Sequence, residues 1–347
     1  MIKAINRPAH LEIGMTKSSL YPLRFEPVFQ YRLWGGRRLA HWLGTPLPGK
    51  EPIGEAWLLS DRDEHPSRVA EGPLKGRTIA QLMEQSPGLI LGKLARRYRR
   101  FPLLLKFLDV DKMLSVQVHP PDGMADQLPE GETGKTEAWV VLEARPESRI
   151  YAGLKPGTAA ADLHALSHET ADQYLANFAP QRGQAGLIEA GTVHSLGDGV
   201  VVFEVQENSD VTFRLYDWDH MDPKTGHPRA LQIEAALACI DFTQGAIHPV
   251  TPVTEMMVPV LRERLVDCSH FRLWRLQSAA PFHIGAEDEP RVLVCIEGAG
   301  SVEHNGADFA MEKGAVVLLP AAVGVCQLRP ELPVTLLEIA IAVPGTP

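Results

Sequence analysis

One stretch of alternating residues restricts most strongly what this chain can fold into. Residues 114–121 read Leu-Ser-Val-Gln-Val-His-Pro-Pro. Successive side chains of a β-strand point to opposite faces, so Ser115, Gln117 and His119 share one face while three apolar side chains share the other. The proline pair then ends the strand. The stretch predicts a strand that buries one face and presents a carboxamide and an imidazole on the other, where both can reach one metal ion.

Two more polar residues complete a candidate metal site. Glu137 lies in the sequence Gly-Lys-Thr-Glu-Ala-Trp, and His194 lies in Ala-Gly-Thr-Val-His-Ser-Leu. Two imidazoles and one carboxylate suit Zn²⁺, and the amide oxygen of Gln117 can serve as a weaker fourth ligand. Spacing alone leaves a second interpretation open, in which these side chains are surface groups or merely support a site elsewhere.

Length and charge exclude several classes of protein. The chain has 347 residues, 34 Lys and Arg against 43 Asp and Glu, and a formal net charge of −9, which argues against a general nucleic-acid binder. No apolar run has the length of a membrane span, and residues 1–19 lack the apolar block of a secretory signal. The four cysteines form no CxxC motif, so reduced thiols and a cytoplasmic location are expected.

The order of predicted elements suggests a mainly β protein with two β-rich parts. Short apolar or alternating runs separated by Gly, Asn, Asp and Pro predict strands in both parts, whereas helical spacing occurs only in the first. The part after residue 260 contains strands only, which favours a small antiparallel sandwich or barrel. The predicted divisions are an extension (1–19), a first domain (20–242) with helical segments near 78–100, 158–177 and 230–240, a linker (243–259) and a C-terminal β domain (260–347).

Arg214 and Glu204 are charged residues set within apolar strand patterns. A guanidinium between apolar neighbours needs an anionic partner. That partner is either a protein carboxylate, with Glu204 as the obvious choice, or the phosphate of a substrate. The residues alone do not decide between these alternatives.

Four sequence blocks, taken together, resemble a known family. The segments around His119, Glu137, His194 and 203–217 occur in the order and spacing of the type I mannose-6-phosphate isomerases, in their shorter bacterial form. The resemblance implies cupin (jelly-roll) domains and one zinc ion per chain, with Gln117, His119, Glu137 and His194 at the metal-ligand positions. It also implies that Lys135, Arg214 and Glu204 take part in catalysis, and that Ser115, Lys135 and Arg214 contact the substrate.

The resemblance has local departures. Pro121 and Met124 replace the Asp and Tyr that are common in bacterial members, and Glu189 replaces a proline. His220 stands where an Arg often ends the block that contains Tyr216 and Asp217. These departures remove no metal ligand, but they predict a differently shaped loop at residues 121–134.

The family implies interconversion of mannose 6-phosphate and fructose 6-phosphate through an enediol. Glu204, His119 and a metal-bound water are alternative bases for the proton transfer, and a metal-bound His is the weaker of them. The expected partner is a small sugar phosphate, with no nucleic acid, membrane or protein partner. Two alternatives remain: a cupin metalloenzyme of different chemistry, such as an iron oxygenase, and a non-catalytic sugar-phosphate sensor.

The C-terminal histidines, including His270, are isolated in sequence, so that domain is expected to bind no metal.

Overall fold

The computed structural model describes residues 16–129 and 132–342, and strands dominate this part of the chain. The predicted mainly β fold is therefore confirmed. In chain order the strands are β1 (Leu23–Arg24), β2 (Val28–Gly36), β3 (Ile53–Leu59), β4 (Leu103–Val110), β5 (Val116–Val118), β6 (Glu137–Glu143), β7 (Arg149–Leu154), β8 (Leu175–Phe178), β9 (Ala185–Ile188), β10 (His194–Gly197), β11 (Val200–Glu207), β12 (Phe213–Tyr216), β13 (Val253–Met256), β14 (Leu261–Asp267), β15 (Phe271–Ser278), β16 (Phe282–Ile284), β17 (Arg291–His304), β18 (Ala307–Glu312), β19 (Val316–Leu319) and β20 (Cys326–Ile341).

The helices are short and lie between strands of the first part. They are α1 (Leu39–Leu43), α2 (Ile79–Gln85), α3 (Pro87–Leu91), α4 (Ala160–His164), α5 (Ala171–Tyr174) and α6 (Ile233–Cys239), with 3₁₀ turns at Lys17–Ser19, Gly92–Leu94 and Asp122–Gln127. Helix α2 begins with a capping box, because Thr78 and Gln81 each satisfy the other's backbone N–H. Among the described residues, no helix is long and apolar enough to cross a membrane.

Two stacked antiparallel sheets form the first part. The larger sheet has the order β2-β3-β4-β11-β6-β9, and the smaller has the order β12-β5-β10-β7-β8. One apolar cluster joins their facing sides, with Leu108, Trp139 and Val202 from the larger sheet and Ile150 and Leu196 from the smaller. The stack is thus a sandwich, and the central strands of both sheets line its interior.

The larger sheet is covered on both faces. Every residue of β4 and β11 is buried. Phe107 and Phe203 on the outer face belong to a second apolar cluster, which they share with α2, α3 and the C-terminal strands. A strand buried on both faces shows little alternation, which explains the near-continuous apolar run of β4. The outer face of the smaller sheet is covered in the same way by α4, α5 and α6.

The C-terminal strands form a nine-stranded antiparallel sheet that also takes strands from elsewhere in the chain. Its main order is β1-β19-β17-β20-β15-β14-β13, with β16 on β20 and β18 on β17. Strand β13 lies within the predicted linker, and β1 comes from the start of the predicted first domain. The described structure therefore ties both segments to the C-terminal sheet.

Some predicted elements differ in extent. Short runs separated by glycine predict two strands at 291–297 and 300–304, but these are one strand, β17, because Gly298 forms a bulge at φ 81° rather than a turn. The predicted helix at 158–177 is interrupted: Ser167 and Thr170 bond to each other and start a new short helix, and Leu175 opens β8. Residues 95–100 of the first predicted helical segment are not helical. The predicted extension at 1–19 lies mostly outside the described residues.

Candidate active site

One row of side chains crosses the smaller sheet. Gln117 of β5 pairs with His194 of β10 on one side and with Arg214 of β12 on the other. Directly paired residues of antiparallel strands point to the same face, so a guanidinium, a carboxamide and an imidazole lie side by side. Gln117 and His194 touch, with 3.1 Å between their Nε2 atoms.

A second row of side chains lies on the facing sheet. Glu204 of β11 pairs with Lys106 of β4 and with Trp139 of β6. The Trp139 indole donates to Glu204 Oε1 at 2.9 Å, and its ring meets the His194 ring edge-on at 5.4 Å between centroids. The two rows therefore meet inside the sandwich, where both sheets contribute to one site.

His119, Glu137 and His194 converge at one point of this interior. His119 Nε2 lies 3.3 Å from Glu137 Oε2, and His194 Nε2 lies 3.3 Å from Glu137 Oε1. All three residues are at most 1% exposed. They form a possible metal-binding triad.

The surroundings of the triad suit a metal ion. Nδ1 of His119 lies 2.8 Å from the Val211 carbonyl, and Nδ1 of His194 lies 2.9 Å from the Thr192 carbonyl. Donation of each Nδ1–H to a carbonyl leaves the Nε2 lone pair for a ligand, as is usual for metal-bound histidines. Burial lowers the pKa of both imidazoles, that of His119 to about 3, and so favours the neutral, ligating form. Apart from an ionic contact with Lys135, the buried Glu137 Oε2 has no hydrogen-bond partner, which leaves it available as a ligand atom.

Lys135 contacts the same donors. Its Nζ lies 2.9 Å from Glu137 Oε2 and 3.0 Å from His119 Nε2. Burial opposes ionisation of Glu137, but Lys135, His119 and His194 together outweigh that effect and hold the pKa of the carboxyl well below its usual range. Glu137 is therefore ionised, and its negative charge favours a bound cation.

A second cluster of charges is buried beside the triad. Lys106 Nζ lies 3.5 Å from Glu204 Oε2, 3.7 Å from Asp210 Oδ1 and 3.8 Å from Glu55 Oε2. Burial by itself lowers the pKa of Lys106, but these carboxylates raise it overall. Arg32 grips Glu55 with two hydrogen bonds of 3.0 and 3.1 Å, and together with Lys106 it lowers the pKa of Glu55 to about 2 despite burial. Glu55 is thereby satisfied, whereas Glu204 has a raised pKa because of burial and the nearby charge of Glu137.

A cavity of about 340 Å³ opens from these clusters. Lys135 and Gln117, which contact the triad, line it together with Lys106 and Glu204. Arg214 also lines it and stands apart from the other cations: among the described residues, no carboxylate forms an ion pair with it, and its buried Nε has no hydrogen-bond partner. The remaining lining residues are Tyr31, Arg32, Leu33, Trp34, Glu55, Leu108, Leu114, Asp210, Thr212, Asp222 and Arg229.

Comparison with known proteins identifies the family. Residues 23–153 match the family model described as "Phosphomannose isomerase type I, catalytic domain". The mannose-6-phosphate isomerase ManA of Bacillus subtilis is 33% identical over 315 residues, which cover 89% of this chain and 96% of the relative. This chain belongs to the type I phosphomannose isomerase family. The mannose-6-phosphate isomerase of Streptococcus mutans is 30% identical over 300 residues, covering 86% of this chain and 92% of that relative.

Solved structures of related proteins have the same fold as this phosphomannose isomerase. The crystal structure of the Bacillus subtilis mannose 6-phosphate isomerase superposes with a TM-score of 0.84 at 29% identity, covering 92% of this chain and 99% of that one. An Archaeoglobus fulgidus structure at 20% identity and a TM-score of 0.74 agrees in fold. The cupin fold expected from the sequence is therefore confirmed.

The structure brings most of the predicted site residues of the isomerase together, but in two cases it changes their expected contacts. The suggested Arg214–Glu204 ion pair does not form, because Glu204 contacts Lys106 and Trp139 instead. Ser115 is fully buried and donates to Gln117 Oε1 at 3.1 Å, so it orients the carboxamide. The amide nitrogen of Gln117 then faces His194, and its oxygen would face the triad only after the amide turns over.

Lys106 is the functional candidate that sequence reasoning missed. It interrupts the run Leu-Leu-Leu-Lys-Phe-Leu at 103–108, which predicts a buried strand. A lysine in such a strand is rarely buried without a partner, so the single charge was itself a usable signal. Glu55 in β3 carries the same signal and is its partner in the structure.

Two residues noted in the sequence, Met124 and His270, make contacts in the structure that the sequence did not predict. Met124, which replaces the family's Tyr, packs on the cluster outside the smaller sheet, with its sulfur 3.6 Å from Cys239 Sγ. His270 is isolated in sequence but not in space: its Nδ1 lies 3.1 Å from Glu207 Oε1, and Asp122 is close by. The hydrogen bond to Glu207 raises the pKa of His270 and ties the C-terminal sheet to β11. A metal-free C-terminal domain stays a prediction.

Proposed function

We propose that this enzyme interconverts mannose 6-phosphate and fructose 6-phosphate through an enediol. The observation that carries the proposal is the cavity, which joins residues in contact with a metal-binding triad to an unpaired guanidinium, Arg214. A sugar phosphate needs both features, because its reacting carbons require polar catalytic groups and its phosphate requires a cation. The names of the bacterial relatives support the same reaction.

We infer that the triad, assisted by Gln117, holds one Zn²⁺ per chain. Two imidazoles and one carboxylate are a common donor set for catalytic zinc. When bound, zinc would act as a Lewis acid toward the sugar oxygens. Lys135, against Glu137, would then place a positive charge near the oxygen that becomes negative in the enediol.

Glu204 is our candidate for the group that carries the proton between C1 and C2. It lines the cavity, and its raised pKa makes it a stronger base than an ordinary carboxylate. His119 is a weaker candidate, because its pKa lies near 3 and its Nε2 faces the triad. The carboxylate would take the proton from C2, next to the carbonyl of mannose 6-phosphate, and deliver it to C1, while the hydroxyl proton of O2 passes to O1 as the carbonyl shifts to C2. Lys106 would hold Glu204 in place through the 3.5 Å contact.

A coupled assay with purified protein tests the proposal. Turnover of mannose 6-phosphate that is lost with a chelator and restored by Zn²⁺, but not by Mg²⁺, supports a zinc isomerase. Binding of mannose 6-phosphate without turnover, in fully metal-loaded protein, would favour the sensor alternative. Restoration by Fe²⁺ alone would contradict the zinc assignment. The cytoplasmic location stays a prediction from the sequence.

A further inference from the structure

A second guanidinium lines the cavity near Arg214. Arg229 follows β12 in sequence, on the segment that returns toward α6, and it lines the same cavity. Its charge lies close enough to Arg214 to lower the pKa of that group, after the larger effect of burial. The Asp217 carboxylate offsets part of this repulsion, since its charge raises the pKa of Arg214. Arg214 nevertheless forms no ion pair among the described residues, so the cavity that both guanidinium groups line can accept a further anion.

A buried carboxylate fixes the direction in which Arg229 points. Asp217 is 5% exposed and accepts two hydrogen bonds from Arg229, one from Nε at 2.8 Å and one from Nη2. A guanidinium has five N–H donors in a fixed plane. Two of them are used by Asp217, so donors remain on the side away from the carboxylate, and Asp217 acts as a positioning residue.

His220 does not replace Arg229. It stands where family members often carry an Arg, but it is not among the residues that line the cavity. Its Nδ1 is buried without a hydrogen-bond partner and lies 3.9 Å from Asp217 Oδ1. An imidazole in this place supplies no permanent charge to a ligand, and the cation of the same segment that lines the cavity is Arg229.

We propose that Arg229 and Arg214 together bind the phosphoryl group of the substrate, and that Arg229 supplies the cation missing at His220. This inference rests on the proposed function, because it names the part of the sugar phosphate that these side chains hold. Guanidinium groups suit a phosphate through paired N–H donors. Arg229 touches the non-reacting end of the substrate, so it should contribute to binding more than to the chemical step.

The test compares Arg229→Gln with Arg229→Lys and with His220→Ala as the matched control. Loss of a charge-assisted contact should raise KM for mannose 6-phosphate by about 10- to 100-fold in Arg229→Gln, with kcat changed by less than about threefold. Arg229→Lys should recover part of the loss, because it keeps the charge without the paired donors. His220→Ala should keep both constants, and all three proteins should keep their metal content.

A direct measurement separates this inference from the proposed reaction. Inorganic phosphate, titrated by calorimetry into metal-loaded protein, should bind the wild type and His220→Ala alike and bind Arg229→Gln at least about 10-fold more weakly. This readout needs no turnover, so it decides the role of Arg229 even if the wild type does not isomerise mannose 6-phosphate. Unchanged phosphate affinity in a folded Arg229→Gln would overturn the proposal. A loss that Arg229→Lys does not recover at all would also overturn it, since a charged side chain would then be irrelevant.

Discussion

The two β parts of this isomerase have similar cores but differ in the charges they bury. The sandwich encloses Glu55, Lys106, Lys135, Glu137 and Glu204, each at most 7% exposed. In the described C-terminal sheet after residue 260, Glu338 and Thr335 are the buried polar side chains. The C-terminal sheet has few buried charges, so we expect those beside the cavity of the sandwich to serve the proposed reaction.

The energetic reason lies in desolvation. Removing a charge from water costs several kcal/mol, and pairing in the interior regains this only when geometry and hydrogen bonding are good. The sandwich meets that condition with a connected network, since Lys106 contacts three carboxylates and Arg32 holds Glu55 with two bonds. In the C-terminal sheet, Glu338 has Arg262 at 2.9 Å and the Gly285 N–H at 2.9 Å. Single substitutions in the two parts should therefore differ in their effects on activity and on stability.

The largest difference is expected from removing a carboxylate in each part. Glu137→Gln should lose most of its metal and lower kcat/KM by about 10³-fold or more, because a metal contributes several kcal/mol of transition-state stabilisation. Glu338→Gln should keep metal and activity and lose only stability. Elemental analysis and the coupled assay measure both outcomes. Full metal occupancy in Glu137→Gln would remove the distinction between the two parts.

A double variant tests whether metal binding is confined to the sandwich. His119→Ala combined with His194→Ala should reduce a metal-to-chain ratio near one to nearly zero. A tightly held ion that survives in this variant would contradict a metal-free C-terminal part. The cluster of Asp122, Glu207 and His270 would then be the place to look.

Removing the cation instead of the carboxylate should give the next largest difference. Lys106→Met leaves Glu204 without its ammonium partner, so we expect a loss of about 3–5 kcal/mol in unfolding free energy and about 100-fold or more in kcat/KM. Arg262→Met should cost about 1–3 kcal/mol, because Glu338 keeps its backbone donor, and should leave kcat unchanged. Urea unfolding and steady-state kinetics check both variants. Equal kinetic effects would show that the parts are coupled more closely than proposed.

A cavity in the C-terminal core should affect stability alone. Leu336 is fully buried in the cluster that also contains Phe107 on the outer face of the larger sheet. Leu336→Ala should lower the unfolding free energy by about 2–5 kcal/mol, with kcat/KM per folded molecule unchanged. A decrease in kcat/KM measured well below the melting temperature would contradict this. It would mean that packing on the outer face of β4 determines where Lys106 is placed on the inner face.

The smallest effect is expected from pH. The pKa of Glu55 is about 2 in the folded state, below the value of 4.5 for a free side chain. Between these values the unfolded chain binds more protons, so stability falls as pH decreases from about 5 toward 2. Glu55→Gln should show a shallower decrease, by about 1 kcal/mol between pH 7 and pH 4. Unfolding free energies measured at pH 7, 5 and 4 test this, and parallel curves for the two proteins would contradict it.

The site was more predictable than the sheet that completes the fold. The alternation of Ser115, Gln117 and His119 gave the correct face, because strand period is a local property. Lys106 was missed because a strand covered on both faces shows no alternation, so the pattern does not tell which face its one charged residue points to. The joining of β1 and β13 to the C-terminal sheet depends on partners far away in sequence, and no local pattern encodes such a pairing.

The place of β1 has a consequence for how the chain is made. Leu23 pairs with Leu318, about 300 residues later. At about 5–20 residues per second, a ribosome needs roughly 15–60 s to synthesise that interval. During this time β1 lacks its partner in the C-terminal sheet, and hydrogen bonding is available only on its other edge, where the Arg24 carbonyl accepts from the Ala70 N–H. A segment made among the first thus completes its pairing among the last, and a nascent chain halted before β19 would leave one edge of β1 open to chaperones and proteases.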